Sequence, residues 1–403
     1  MEILYLGTVC NLEKYKKILD KCRKKPTVAT AIFESALLEG FSENNADIQI
    51  LSYPMIPTFP DSPYFYFGGH VQDVVAGYNC YWLQTINLPL LKQLSRRFDA
   101  CRAIKRWAKK HAGEGVFLLY SIPPFLAKDI IKFSKKYSIK TAVIVPDLLQ
   151  NMYINHKINP LVNSFRQLYL NPALNLQGDF DGYIYLTEAM KETVAPQKPY
   201  IVMEGVLNKR TFDQIENSLS LGKASPKAVM YAGRLHEKYG VINLLDAFDM
   251  LGDLDIELWL FGEGTAVEEI RRRGKRNLRI RYFGSVSHEE ILQYEKKATL
   301  LVNPRSSAEE FTKYSFPSKT IEYMFSGTPL LTTKLSGIPK EYFEFVFSVE
   351  DNTPLLLSEA MRKILSLPEE LLLEKGSSAR QFILTNKKAI KQSERILNFL
   401  KEI

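Results

Sequence analysis

Two stretches in the second half of this 403-residue chain carry residue types that bind phosphate. In Ala232-Gly233-Arg234-Leu235-His236-Glu237-Lys238-Tyr239-Gly240, glycine permits a sharp turn after a strand. There Arg234 could meet a phosphate as a planar fork and Lys238 as a point charge. The second stretch is Ser315-Phe316-Pro317-Ser318-Lys319-Thr320-Ile321-Glu322-Tyr323-Met324. Pro317 suits a first helical turn, so the free N–H groups around Ser318 and Lys319 would form an anion site. Glu322 lies four residues after Ser318, on the same helix face, where a carboxylate could accept hydrogen bonds from a ribose. The plainer alternatives are a surface ion pair for Arg234 and a solvated helix position for Glu322.

These residues need strands and helices to hold them. Apolar runs at Ala228–Ala232, Ile256–Phe261, Leu278–Phe283, Thr299–Asn303 and Pro329–Thr332 alternate with segments of helical period near Val241–Leu251, Ala266–Arg273, His288–Lys297 and Ser318–Phe325. Strict alternation implies right-handed crossovers and a parallel, doubly wound α/β sheet. The first half repeats this less regularly, with strands expected at Ile3–Leu6, Ile48–Leu51, Val116–Tyr120, Thr141–Val145 and Gly182–Leu186, and a helix at Thr27–Leu38. Tyr53–Gly69, punctuated by prolines, reads as one long irregular loop. The expected division is residues 1–206, 207–385 and a terminal helix over 386–403. Two such domains would face each other across a cleft, with ligands at the carboxyl ends of their strands.

Composition limits the classes. The chain has 46% hydrophobic and 24% charged residues, which excludes a disordered protein. No stretch reaches the length of a membrane span and the N-terminus does not read as a signal peptide, so a cytoplasmic location is expected. Cys10, Cys22, Cys80 and Cys101 have neither zinc nor redox spacing. The net charge is +8, and residues 1–200 alone carry 24 Lys and Arg against 17 Asp and Glu. The first half therefore points to an anionic partner.

Gly233-Arg234-Leu235, Phe261-Gly262-Glu263-Gly264, Phe283-Gly284-Ser285-Val286 and Phe316-Pro317-Ser318-Lys319 leading to Glu322-Tyr323-Met324-Phe325-Ser326-Gly327-Thr328-Pro329 resemble glycosyltransferase family 4, of the GT-B fold. The similarity is strongest over residues 228–347. It is fainter at Asp181–Met190 and Met203–Val206, and the segment from Asn386 to Leu400 resembles the terminal helix that, in this family, crosses back onto the first domain. The resemblance implies a retaining hexosyltransferase using a nucleotide diphosphate sugar, most often uridine-linked, with no cofactor and no obligatory metal. It implies that Arg234 and Lys238 neutralise the diphosphate, that Ser318 and Lys319 hold it, that Glu322 binds the ribose, and that Gly262, Gly264 and Val286, with Gly233, shape the base and donor slot.

Two departures from the family pattern stand out. The family's first glutamate, eight positions before Glu322, is Tyr314 here, so Glu309 or Glu310 on the preceding loop is the substitute, Glu310 being the one assigned. The basic residue expected directly before Gly240 is Tyr239, with Lys238 one position early. In the first half Asp147, after a strand, could orient an acceptor hydroxyl or simply cap its loop, and Gly7 would line the donor site through its backbone. His156 fits no family motif. Asp179-Phe180-Asp181 matches a metal-binding D-x-D pattern but begins a strand, away from the ligand end.

The basic residues suggest where the anionic partner binds. Lys14–Lys25 is rich in lysine with little apolar material, and is expected to meet a membrane surface or lipid diphosphate. In Leu88–Trp107, Leu91, Leu94, Phe98, Cys101 and Ile104 recur at helical spacing beside Lys92, Arg96, Arg97, Arg102, Lys105 and Arg106; such a helix could lie on an anionic bilayer, but the stripe is expected to face the core with its basic face solvated. The partners expected are a nucleotide-sugar donor, a lipid-linked saccharide acceptor for a surface, capsule or exopolysaccharide, and an anionic membrane, with no nucleic acid. The alternatives are a nucleotide-sugar epimerase of the same fold and a non-catalytic subunit binding nucleotide sugar or polyanion.

Overall fold

A computed structural model describes residues 1–26, 28–152, 160–217 and 222–403. Two compact units form, residues 1–208 with 389–403, and residues 209–388. His156 lies outside the described residues.

The strands of the first unit are β1 (Glu2–Gly7), β2 (Asp47–Ser52), β3 (Tyr66–Phe67), β4 (His70–Val75), β5 (Tyr78–Trp82), β6 (Thr85–Ile86), β7 (Val116–Tyr120), β8 (Lys140–Val145), β9 (Gly182–Tyr185) and β10 (Tyr200–Val202). Eight of them pair in the order β10-β9-β8-β7-β1-β2-β5-β4. Only β4, on β5, runs antiparallel, and β3 with β6 makes a separate ribbon. The loop expected over Tyr53–Gly69 thus contributes a short strand at its end. Strands β7 and β8 are apolar almost throughout because helices cover both faces of a parallel sheet. Asp181 belongs to this frame, since its Oδ2 accepts both the Thr141 N–H and hydroxyl at 2.8 Å and fastens β9 to β8.

The chain order reverses between β1 and β7, so the loops leaving them diverge. Under the β1 loop lies Glu34, wholly buried on the helix Ala29–Glu43. Its carboxylate accepts the Tyr5 hydroxyl at 2.8 Å, the Thr8 N–H at 3.0 Å and the Thr8 hydroxyl. A Cβ on Gly7 would stand 2.0 Å from Glu34 Oε2, so a side chain there would displace the buried carboxylate from its hydrogen bonds. The terminal helix Ala389–Glu402 packs on the same Ala29–Glu43 helix. Asn44 Nδ2 donates to the Ile390 carbonyl at 2.8 Å, and Gln392 Nε2 to that of Gly205 at 2.7 Å.

One expectation is overturned. On the helix Leu91–Lys110, Leu91, Leu94 and Phe98 are 44%, 60% and 69% exposed, and the core side is Ala100, Ile104, Trp107 and Ala108 together with Arg96 and Asp99. Apolarity alone selects the leucines for the core, but Arg96 and Asp99 are satisfied inside. Arg96 donates to Thr85 Oγ1 and the Pro54 carbonyl, while Asp99 accepts from the Gln84 N–H and the Tyr81 hydroxyl. No helix among the described residues is long and apolar enough to cross a membrane.

The second unit has six parallel strands, β11 (Lys227–Ala232), β12 (Ile256–Phe261), β13 (Ile280–Gly284), β14 (Leu300–Asn303), β15 (Leu330–Thr333) and β16 (Phe347–Val349), in the order β13-β12-β11-β14-β15-β16. The helix His288–Lys297 starts in a capping box, Ser287 Oγ accepting the Glu290 N–H while Glu290 Oε2 accepts that of Ser287. The helix Lys319–Ser326 ends at Gly327, in the left-handed region at φ 79°.

Glu34 gives the first unit a pH dependence. Burial pushes its carboxyl up from 4.5 to about 7, against the opposing Thr8 and Tyr5 hydrogen bonds. Between those values the folded state keeps a proton that the unfolded state releases, so stability falls as pH rises through that window, by about 3 kcal/mol from this group. Denaturant unfolding of wild type and Glu34→Gln across the window should show the slope in wild type only, and parallel curves would exclude Glu34 as its source.

Candidate active site

In the second unit the strand order reverses between β11 and β14, and both sequence-selected stretches follow these strands. The β11 loop is held by close backbone approach. The Gly233 N–H donates to the Phe261 carbonyl at 3.0 Å, and that of Gly262 to Gly284 at 2.8 Å. A Cβ on Gly262, whose φ is +120°, would stand 1.9 Å from the Gly233 carbonyl oxygen, and one on Gly264 would stand 2.2 Å from that of Leu235. At the far end of the loop Gly240, φ +81°, lies against the Pro304 carbonyl, where a Cβ would come within 1.7 Å. The loops after β11 and β14 therefore touch directly, and only glycine permits it.

This contact brings a residue that the sequence reading missed, Arg305, beside the β11 loop. Its guanidinium lies 5.1 Å from the centre of the Tyr239 ring, and the Lys238 ammonium lies 5.3 Å from the same ring and 5.7 Å from that of Phe311. Among the described residues neither these two cations nor Arg234, which is exposed, has a carboxylate partner. Burial, with the Arg234 charge adding to it, holds the Arg305 guanidinium below its usual range. A cation set with no acid among it is arranged to receive an anion. Arg305 carried one sequence signal, a basic residue two positions after the end of a strand.

Helix Lys319–Ser326 is tied to the end of β11 by Tyr323, whose hydroxyl accepts the Ala232 N–H at 2.8 Å and donates to the Ala232 carbonyl at 3.0 Å. Ser318 is exposed at its start, and no hydrogen bond occupies the Ser318 or Lys319 N–H among the described residues. The Lys319 ammonium is turned inward, paired with Glu322 Oε1 and 3.6 Å from Glu295 Oε1. Glu322 Oε2 accepts from His288 Nε2 at 2.7 Å. Glu295, wholly buried, has no hydrogen-bond partner for either carboxyl oxygen. Burial and the Glu322 charge push its carboxyl well above the ordinary value, which favours its neutral form. Burial opposes ionisation of Glu322 too, but Lys319 and His288 outweigh it and hold its carboxyl far below the usual range. A buried and a half-buried carboxyl thus flank one cation, with ionisation favoured on Glu322 and opposed on Glu295. His288 and Glu295 were missed by sequence, although Glu295 occupies a buried position of an amphipathic helix, where an acid is out of place.

The remaining assigned residues are more dispersed. Val286 is half-buried after β13, at the lip of the Gly262 turn. Glu310 is exposed on the short 3₁₀ turn Glu310–Lys313 that also carries Phe311, and Tyr314 closes that turn. Asp147 and Gly7 belong to the first unit. Asp147 Oδ1 accepts the Leu148 N–H at 3.1 Å and so caps its own loop, while Gly7 ends β1 over Glu34. Among the described residues no three His, Cys, Asp or Glu gather as a metal site would require.

Residues 213–382 match the sequence profile of the family described as glycosyl transferases group 1. No curated protein sequence matches the chain. Among solved structures, sucrose-phosphate synthase from Thermosynechococcus elongatus is 14% identical with a TM-score of 0.64, over 100% of this chain and 99% of that one. HepE from Anabaena in complex with UDP is 14% identical with a TM-score of 0.61, over 100% of both chains. An E. coli trehalose-6-phosphate structure bound with UDP-2-fluoro glucose is 10% identical with a TM-score of 0.60, over 100% and 99%. Residues 213–382 thus match the group 1 glycosyl transferase profile, within a chain that has the GT-B fold of these structures along its whole length.

Proposed function

We propose that the chain is a retaining, family 4 type transferase that moves a hexose-type sugar from a UDP-sugar to a lipid-linked saccharide, in the synthesis of a surface, capsule or exopolysaccharide. The observation that carries the donor part is the set Arg234, Lys238 and Arg305, positive and without a carboxylate partner among the described residues, at the strand reversal. As the bond between the sugar carbon and the diphosphate oxygen breaks, its electron pair stays on the diphosphate. Fixed cations and the Ser318 and Lys319 N–H groups then stabilise the transition state more than the ground state. Three side-chain charges supply there what a divalent cation would otherwise bring, so no metal is needed. The bound UDP and UDP-2-fluoro glucose of the two neighbours support a uridine donor.

In this reading Glu322 binds the ribose while paired with Lys319 and His288, since each carboxylate oxygen has two lone pairs and one on each is spent. The wall of the base slot is the Gly262–Gly264 turn with Val286. Glu310 takes the place of the missing first glutamate toward the sugar, and the first unit takes the acceptor, near Gly7 and Asp147. The lipid part of the acceptor and an anionic membrane surface rest on family habit and on the basic first half. The same charge distribution supports a cytoplasmic, peripheral location.

Incubation with a panel of nucleotide sugars, with and without polyprenyl-diphosphate-linked saccharides, should give acceptor-dependent nucleotide release and a product heavier by one hexose. Free sugar isomers or mere binding would instead indicate an epimerase or a non-catalytic subunit. Arg234→Ala and Arg305→Ala should each lower kcat by about 10²–10³. Wild-type kcat in Arg305→Ala would remove it from the site. The buried carboxyl pair makes a separate claim: Lys319→Met leaves an ionised carboxylate without its cation and should cost about 3 kcal/mol of stability, whereas Glu295→Gln, which replaces a neutral group by a neutral one, should leave the unfolding midpoint nearly unchanged. Equal loss in both variants would contradict the neutral state of Glu295.

A further inference from the structure

The helix Leu91–Lys110 and the turn before it expose an apolar surface that folding does not use. Leu90 is 85% exposed, and Leu91, Leu94 and Phe98 follow it on one helix face. The β3–β6 ribbon continues the patch with Phe65 and Tyr66, 56% and 55% exposed. It is joined to the helix by the Ile86 N–H donating to Ser95 Oγ at 2.9 Å. Leu90 is also strained outward: its φ is 65° and its ψ −45°, with the Leu91 N–H donating to the Pro89 carbonyl at 2.8 Å, a γ-turn of the rare positive-φ kind. Core packing does not hold an exposed leucine in that conformation.

The same face changes character along its length. At 100° per residue Leu91, Leu94 and Phe98 align with Arg102, Lys105 and Lys109, all three exposed, within about 80° of arc. The Arg102 guanidinium lies 4.9 Å from the centre of the Phe98 ring, at the junction of the apolar and cationic halves. Beside it the helix Ala127–Tyr137 exposes Lys128, Lys132, Lys135 and Lys136, and Arg97 paired with Asp129 at 2.7 Å links the two helices. Residues 101–140 hold ten Lys and Arg against two Asp and Glu, the larger basic cluster of the first half. Lys14–Lys25 is the smaller one: Lys14, Lys24 and Lys25 pair with Asp73, Asp61 and Asp20, which leaves Lys16, Lys17, Lys21 and Arg23 exposed without a carboxylate partner among the described residues.

We propose that this face, Leu90–Phe98 continued by Arg102, Lys105 and Lys109, docks the protein on an anionic bilayer, the leucines and phenylalanine entering the acyl boundary and the cations lying among lipid phosphates. A bilayer is apolar inside and anionic at its surface, which is the division the face displays. A second copy supplies no anions: a two-fold contact of this face with itself sets leucines against leucines or cations, and leaves the cations unmatched. The proposal names the membrane contact for the lipid-linked acceptor and rests on that reading, but its test needs neither donor nor acceptor.

Sedimentation of the full chain with phosphatidylglycerol–phosphatidylcholine vesicles should show binding that weakens with salt and with loss of the anionic lipid. Leu94→Glu with Phe98→Glu should lower the partition coefficient at least tenfold, while Arg102→Glu, Lys105→Glu and Lys109→Glu should each lower it by about fivefold or more. Lys16→Glu with Lys17→Glu, on the other basic cluster, should lower it less than any one of these three does. Arg234→Ala, defective in transfer, should still bind vesicles, which separates failure of this surface from failure of the donor site. Circular dichroism and unfolding midpoints check that the exposed substitutions leave the fold intact. Vesicle binding unaltered in the Leu94/Phe98 variant overturns the proposal. So does the absence of binding in wild type, including the case in which wild type self-associates through this face and the variant does not.

Discussion

An anion site needs positive charge that no acid has already neutralised, and the strand reversal of the second unit has that property. A cation left near other cations and away from water is unfavourable, and here aromatic rings meet the need without cancelling charge. Tyr239 lies under both Lys238 and Arg305, and Phe311 also faces Lys238. Tyr239 occupies the position where the family resemblance leads one to expect a basic residue. The ring keeps two neighbouring cations close to the strand reversal, so the substitution moves the positive charge one residue away along the loop and across to β14 instead of abolishing it. Gly240 is what lets the two loops meet, because any side chain there would overlap the Pro304 carbonyl.

Elsewhere in the molecule charge is sorted by the same logic with different outcomes. Lys14, Lys24 and Lys25 each find a carboxylate, and Lys14 also lies 5.4 Å from the Trp82 ring. Pairs of this type contribute little to stability, but they reduce the local field, so that of the seven cations in Lys14–Lys25 only Lys16, Lys17, Lys21 and Arg23 stay unneutralised among the described residues. The helices Leu91–Lys110 and Ala127–Tyr137 have only Asp99 and Asp129 to offset their lysines and arginines; Asp99 is buried against Tyr81 and Gln84, and Arg97 already holds Asp129. A count over residues 1–200 sees one excess, and the ion pairs show that these two helices retain the larger part of it.

What the sequence made legible follows from what is local. Strands at Ala228–Ala232 and Ile256–Phe261 and the helix at His288–Lys297 lie within a residue of their observed bounds, since apolar runs and a capping box are written in neighbouring residues. The three-residue strands Tyr200–Val202 and Phe347–Val349 were not found, because segments so short are defined by the neighbour they pair with. The misassigned stripe on Leu91–Lys110 has the same origin. Arg96 and Asp99 can be core residues only because Thr85, Pro54, Gln84 and Tyr81, distant in sequence, satisfy them. In the donor site the motif residues were visible one by one, whereas Arg305 and Glu295 acquire their meaning only from contacts across the sheet and between helices.

The carboxyl pair sharpens the division of labour within the Ser318–Glu322 turn. With Glu295 neutral, Glu322 ionised and Lys319 protonated, the group carries no net charge from these three, although it contains the lysine that the motif assigns to the diphosphate. Its ammonium faces two acids in the interior, and what it presents toward the strand ends is the backbone, the free N–H groups of the first turn. A partial positive charge from a helix start is modest beside a guanidinium but fixed in direction, whereas Arg234 is an exposed side chain free to follow a leaving group. Lys319 is then best understood as the residue that holds Glu322 in place inside the protein, and in the proposed reaction the neutralising work falls on Arg234, Lys238 and Arg305.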